Sequence, residues 1–254
     1  MIVTIHQPLL LPWLGYLDRM LRSDLFIVLD HVQFERRNYQ NRTRIRFDGE
    51  ARWFTVPVVQ HSREERIIDK LIDNSSCSAD RWWGSRHFKT LCHAYREAPF
   101  FDDYAPHLRS ILHSRCERLV DLDLALLELV RAALDIRTPL VRSSELGVDG
   151  RKSELMLNLC RAVGADVLLG GMGGSRDYLD TAAFERARID VRWQQFSHPC
   201  YPQCGPGPFI AGLSSIDLLA NCGPRSRACL DGQPGELPVA GAAAAPLGTD
   251  LCAA

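Results

Sequence analysis

The chain carries almost no net charge: 30 Lys and Arg stand against 31 Asp and Glu, a formal charge of -1. That balance excludes the bulk positive field that holds nucleic acid or an anionic membrane, so neither partner is expected. No apolar run approaches the roughly 20 residues of a spanning helix, and no membrane insertion is expected. The amino terminus lacks a basic leader ahead of a signal-type apolar stretch, which makes a cytoplasmic location the expectation. No Cys-x-x-Cys pair occurs among the nine cysteines, and an odd number without a secretion signal points to free thiols. Cys200 and Cys204, with His198 nearby, come closest to a metal cluster, but zinc needs further ligands at compatible spacing. No metal or other cofactor is expected. Walker A, GxGxxG and GxSxG motifs are missing, so neither a standard nucleotide loop nor a serine nucleophile is signalled.

What is present is an ordinary globular balance, 46% hydrophobic and 24% charged over 254 residues, enough to bury a sizeable core. Two short apolar runs, Ile2 to Ile5 and Leu25 to Leu29, read as buried strands, with a helix-like Trp13 to Leu21 between them. The first run ends in His6-Gln7-Pro8 and the second in Asp30-His31-Val32-Gln33. Polar groups at both strand ends of a strand-helix-strand unit mark a site, because ligands of parallel sheets sit outside the carboxyl ends of the strands.

Further along, Trp53 to Val58 reads as a strand, and Arg63 to Ile72 as a short strand or irregular connection. Ala79 to Ala98, Tyr104 to Ser114 and Leu119 to Leu134 carry helical spacing and form a helical insertion at about residues 79 to 135. The α/β rhythm resumes with a strand at Pro139 to Arg142, a helix at Arg151 to Val163 and a buried strand at Asp166 to Leu169. That strand runs into the glycine-rich turn Gly170 to Ser175. A helix at Thr181 to Arg188 precedes a strand at Ile189 to Phe196, in which Ile189, Val191, Trp193 and Gln195 alternate against Asp190, Arg192 and Gln194. After a Pro/Gly-rich loop, Ser215 to Cys222 is a last short helix. The expectation is an α/β fold with a mainly parallel sheet flanked by helices over residues 1–222, and a flexible Gly/Pro/Ala-rich tail over 223–254.

The pattern closely resembles the WbqC-like family. The residues that carry it are IHQP and LPWLGYLDRM, the aspartate and glutamine of LDHVQF, RNYQNRTRIR, WFTVPV and HAYREAPFF. RKSELMLNLCRAVGADVLLGG, RDYLD, FSHPCYPQ and SSIDLLANCG follow in order, so the resemblance covers about residues 1 to 223. Relatives typically carry a shorter turn, less loaded with glycine, than GGMGGSRDYLD. The resemblance implies a place in surface-polysaccharide (O-antigen) or specialised-metabolite biosynthesis.

Imidazole titrates near neutrality, so His6 is a candidate general base; the alternative is a histidine that ties the loop to the sheet. The Gln7 amide is a candidate donor to an oxyanion. Asp30 could orient His6 or accept an ammonium, or simply cap a turn, and Gln33 ends the same strand. Arg36, Arg37, Asn38, Asn41, Arg42, Arg44 and Arg46 form a basic run suited to a phosphate or carboxylate, with Arg42, Arg44 and Arg46 on one face of a strand; a solvated face is the alternative. Gly171, Asp177 and Tyr178 belong to the glycine turn and its sequel, whose amides could cradle an anion. His198, Tyr201 and Gln203 lie in the Pro-rich loop, as ligand contacts or as loop packing, and Trp82 and Trp83 are expected in the core.

Three functions follow as expectations. The first is a transferase that acylates or aminoacylates an amine from a carrier thioester, with His6, Gln7 and Asp30 in the chemistry and a phosphopantetheinyl carrier protein as partner of the small-molecule substrate. The second is nucleotide-dependent nucleotidyl transfer. The third is a non-catalytic binding module of a biosynthetic complex.

Overall fold

A computed structural model describes residues 1–62, 64–75, 82–171, 173 and 178–232. Strands β1 (Ile2–His6), β2 (Leu25–Val28), β5 (Leu140–Arg142), β6 (Val167–Gly170) and β7 (Asp190–Trp193) form a five-stranded sheet in the order β5-β2-β1-β6-β7. Every pairing in it is parallel, as expected for an α/β fold. The remaining strands, β3 (Arg42–Phe47) and β4 (Glu50–Thr55), make a separate antiparallel hairpin. Its turn is Asp48-Gly49, with φ of 51° and 79°, the doubly positive geometry that Asp-Gly accepts and that matches the twist of the strands.

The strand period divides the apolar residues between two layers. Phe26 and Val28 face one side, where α1 (Leu14–Leu21) lays down Leu14, Tyr16, Leu17 and Met20. The helical insertion supplies α2 (Trp83–Ala94), α3 (Phe101–His113) and α4 (Leu119–Ala133) to that same core, and α7 (Ser215–Cys222) joins it. Val3, Ile27 and Leu29 face the other side, covered by α5 (Lys152–Ala162) and α6 (Thr181–Arg186) through Leu155, Leu159 and Phe184. Trp82 and Trp83 are buried, and both indoles donate to Asn74 Oδ1, at 3.3 and 2.9 Å.

Three expectations shift. The strand expected at Trp53 to Val58 is Glu50–Thr55, because the Asp48-Gly49 turn sets the register and Pro57 has no N–H to extend a ladder. The face assigned to Gln194 reverses: it leaves the strand pattern and is buried, donating to the Gly15 carbonyl at 2.8 Å and to Asp18 Oδ2 at 2.6 Å. The chain does not leave the fold at Gly223. Ser226–Leu230 forms α8, whose Cys229 and Leu230 are buried against the core. The rest of the expected tail, from residue 233 on, lies outside the described residues.

Candidate functional site

From β1 the chain builds outward to β2 and β5, then returns through α5 to place β6 on the opposite side of β1. The crevice between β1 and β6 is therefore the point where strand order reverses, and adjacent loops part there at the carboxyl ends. His6 and Gln7 end β1 on one side of it; Gly170 and Gly171 end β6 on the other.

His6 is half-buried, with the Tyr16 ring edge-on at 5.0 Å. Its Nδ1 lies 2.8 Å from the Gln7 carbonyl oxygen, which only accepts, so Nδ1 carries the proton and Nε2 keeps its lone pair. Burial, and then the Arg19 guanidinium, lower the imidazole pKa to about 3, against a smaller raising effect from the Gln7 carbonyl. His6 is thus a neutral base with Nε2 as its acceptor.

Gln7 Oε1 accepts from Gln40 Nε2 at 2.8 Å, and Gln40 Oε1 accepts from the Glu35 N–H at 3.0 Å. Gln40 is fully buried. It holds the Gln7 amide oxygen, so that Gln7 Nε2 is the end left to donate. Asn38 donates to Glu35 Oε2 at 2.7 Å. Tyr178 is 41% exposed, and its hydroxyl pKa is raised by burial and then by the Glu35 charge, which brings the residue after the glycine turn toward this network. Arg19 of α1 completes the crevice. Its guanidinium lies against Gly171, where an added Cβ would stand 2.5 Å from Nη1.

The structure thus gathers His6, Gln7, Asn38, Gly171 and Tyr178, and adds Arg19, Glu35 and Gln40, which the sequence reading did not single out. Asp177 lies outside the described residues.

Other candidates are engaged elsewhere. Asp30 does not orient His6. Its Oδ2 accepts from Arg142 Nε at 2.7 Å and Ser144 Oγ at 2.9 Å, and its Oδ1 from the Ser144 N–H at 3.0 Å and Ser143 Oγ at 3.1 Å. Burial would raise its pKa, but the bonds from Arg142 and Ser144 outweigh it and hold the carboxyl below its usual range. With its own proton on Asp30, Ser143 Oγ receives His31 Nδ1–H at 2.6 Å, so Asp30 anchors the β2 end to the β5 end.

The arginine stripe is also broken. Arg46 is buried and gives its guanidinium to the carbonyls of Cys204, Pro206, Gly207 and Pro208 and to Gln203 Oε1, because the Pro-rich loop presents five inward acceptors there. Arg42 stacks 3.9 Å over the half-exposed Trp53 and donates to the Arg37 carbonyl. Arg44 pairs in register with Trp53 on the outer hairpin face, and Arg37 is exposed. Asn41 Nδ2 donates to the Val56 carbonyl at 2.9 Å, tying the hairpin base. Gln33 is exposed beside a surface hollow of about 440 Å³ that Phe34, Arg36 and Gln60 also line.

Tyr201 and His198 organise the Pro-rich loop. Tyr201 is buried and its hydroxyl donates to Asp217 Oδ2 at 2.9 Å, while burial raises the Asp217 carboxyl to about 6. His198 donates from Nδ1 to the Pro199 carbonyl at 2.9 Å and packs on Phe196, Tyr201 and Phe209; its Nε2 is buried without a partner among the described residues. Among the described residues, no group of three or more His, Cys, Asp or Glu is placed to hold a metal ion, and no helix is long and apolar enough to cross a membrane.

Fold and site together define an open α/β protein with a polar crevice at the topological switch point of its sheet. The chain belongs to the WbqC-like protein family, whose model matches residues 7–229. It is 32% identical over 224 residues to the uncharacterized protein Rv1507c of Mycobacterium tuberculosis, a match covering 87% of this chain and 94% of that protein. No solved structure matches the chain.

Proposed function

We propose that this protein is a cytoplasmic transferase that joins an acyl or aminoacyl group to an amine during surface-polysaccharide or specialised-metabolite assembly. The donor is a thioester on a phosphopantetheinyl carrier protein. One observation carries the reading: His6 holds its proton on Nδ1, which leaves Nε2 as an acceptor, and in the next residue Gln40 holds the Gln7 amide oxygen, which leaves Gln7 Nε2 to donate.

In the reaction the amine nitrogen attacks the thioester carbonyl. The C–N bond forms, the C–S bond breaks, and the carrier thiolate leaves. His6 Nε2 takes the proton lost by the nitrogen and passes it to the thiolate, so charge and atoms balance. Gln7 Nε2 donates to the carbonyl oxygen as it becomes negative. Burial and Arg19 make His6 a weak base at rest, and negative charge developing beside it in the tetrahedral adduct offsets part of that depression. The exposed Arg37, ahead of the hairpin, and the half-buried Arg44 on β3 are the guanidinium groups that suit the phosphate of the carrier's pantetheine arm.

The test is a panel of acyl and aminoacyl thioesters, carrier-bound and free, with amine acceptors. Thiol release and product mass are read for the parent chain, His6→Ala and Gln7→Ala. Amide formation that His6→Ala leaves intact rules out this mechanism. A second reading, nucleotide-dependent nucleotidyl transfer, is favoured by the guanidinium at the switch point. Calorimetric titration with ATP and magnesium decides it, and the absence of heat removes it. Stable capture of a carrier protein with no turnover of any donor favours a binding module over both.

A further inference from the structure

Arg19 is a buried cation of the crevice whose hydrogen-bonding capacity the transfer reaction leaves unused. It is 4% exposed, yet its Nε has no hydrogen-bond partner among the described residues. No carboxylate among them forms an ion pair with it, although the Asp18 charge acts on it and favours the cation. Its neighbour Asp18 is already engaged, accepting from Arg22 Nε at 2.8 Å and from Gln194 Nε2 at 2.6 Å. A buried cation without a partner is costly, and proteins retain one where something else supplies the negative charge.

The surroundings show where that charge sits. The guanidinium reaches from α1 to the end of β6, with Nη1 and Nη2 at 2.5 and 3.4 Å from the position of a Cβ on residue 171. A Cβ there would force the guanidinium out of this position. Its charge acts on His6 and on Tyr16, whose ring stands edge-on to His6, so it lies beside the end of β1. Burial lowers the guanidinium pKa to about 10, which keeps it cationic at neutral pH.

We propose that Arg19, seated on Gly171, anchors an oxyanion pocket at the switch point and holds a carboxylate or phosphate group of the substrate within reach of His6 and Gln7. The planar fork suits either group. Burial is the larger cause of the lowered His6 basicity; the bound anion offsets the smaller Arg19 contribution. The pocket occupies the crevice of the transfer reaction, but it does not require that His6 be the base.

The experiment is thermal unfolding of the full chain titrated with inorganic phosphate, and separately with acetate, at constant ionic strength. Saturable stabilisation of roughly 3–6 °C at ten times Kd is expected for the group that binds. Phosphate alone raising Tm identifies a phosphate, acetate alone a carboxylate, and both a shared oxyanion site. Arg19→Met is expected to fold with undiminished Tm, since it removes an unpaired buried charge, and to lose the response. Gly171→Ala, which pushes the guanidinium aside, is expected to weaken binding about tenfold or more. His6→Ala keeps the response, so loss of turnover in that variant leaves this site standing. No response to either anion, or an undiminished response in Arg19→Met, overturns the proposal even where the transfer reaction survives.

Discussion

Gln40 Nε2 donates to Gln7 Oε1 at 2.8 Å, across 33 residues of chain, and thereby decides which end of the Gln7 amide faces the crevice. Gln40 also accepts the Glu35 N–H, so its removal strands a backbone donor. Gln40→Met is expected to cost about 1–3 kcal/mol in urea unfolding. In the proposed transfer it is also expected to lower kcat more than it raises KM, because the Gln7 amide becomes free to rotate.

Asp30 has a structural part to play. Asp30→Asn keeps the shape but weakens the Arg142 pairing and forces donors at Ser144 to share. Hydrogen bonds to a charged group contribute about 1.5–3 kcal/mol each, and a loss of about 3 kcal/mol is expected for Asp30→Ala in chemical denaturation. Phosphate or acetate affinity at the switch point is expected to stay within twofold. A tenfold loss would return Asp30 to the site.

Arg46 holds the Pro-rich loop through Cys204, Pro206, Gly207, Pro208 and Gln203. Lysine offers three donors from a point charge in place of the five-donor fork. Arg46→Lys is therefore expected to destabilise nearly as much as Arg46→Ala, by about 3 kcal/mol. Limited proteolysis is expected to cut first within residues 203–210.

The His6 pKa, lowered to about 3, has a definite sign in stability. In the unfolded chain the ring binds a proton near pH 6.5, while in the fold it does not until about pH 3. The stabilisation is present above the unfolded value and is lost as pH falls toward 3. His6→Gln is expected to flatten the rise of stability with pH between about 4 and 6.5. The His6 imidazole is expected to show no NMR titration from pH 8 down to pH 5.

Asp123 has the opposite sign. It is buried in α4 with both carboxyl oxygens unpartnered among the described residues, and burial raises its pKa well above the usual range. The unfolded chain releases this proton near pH 3.9 while the fold retains it, so its contribution is full below that pH and is lost as pH rises toward the folded value. Asp123→Asn is expected to raise Tm more at pH 8 than at pH 4. An equal change at both would mean that the carboxyl is not held neutral.

The short apolar runs Ile2 to Ile5 and Leu25 to Leu29, and the helical spacing of Leu119–Ala133, made strands, helices and the α/β class legible along the chain. His6 and Gln7 were legible as candidate residues at the carboxyl end of β1 because polar groups directly after a buried strand must lie there. Local pattern says nothing of partners at long range. Asp30 meets Ser143 across 113 residues, Gln194 meets Gly15 across 179, and Arg46 meets Cys204 across 158, so a run of like residues in sequence was divided among separate tasks. Arg19 lies in the helix-like segment Trp13 to Leu21, where nothing in the sequence set it apart. Strand order alone, by bringing Gly171 beside the end of β1, turned it into a buried cation at the switch point. Composition likewise hid α8, since a helix of five residues owes its place to the packing of Cys229 and Leu230 and not to its own propensity. Backbone periodicity thus set the elements and the end of β1 where chemistry gathers, while the pairing of charges waited on the fold, because Coulombic and hydrogen-bond partners are chosen by distance in space.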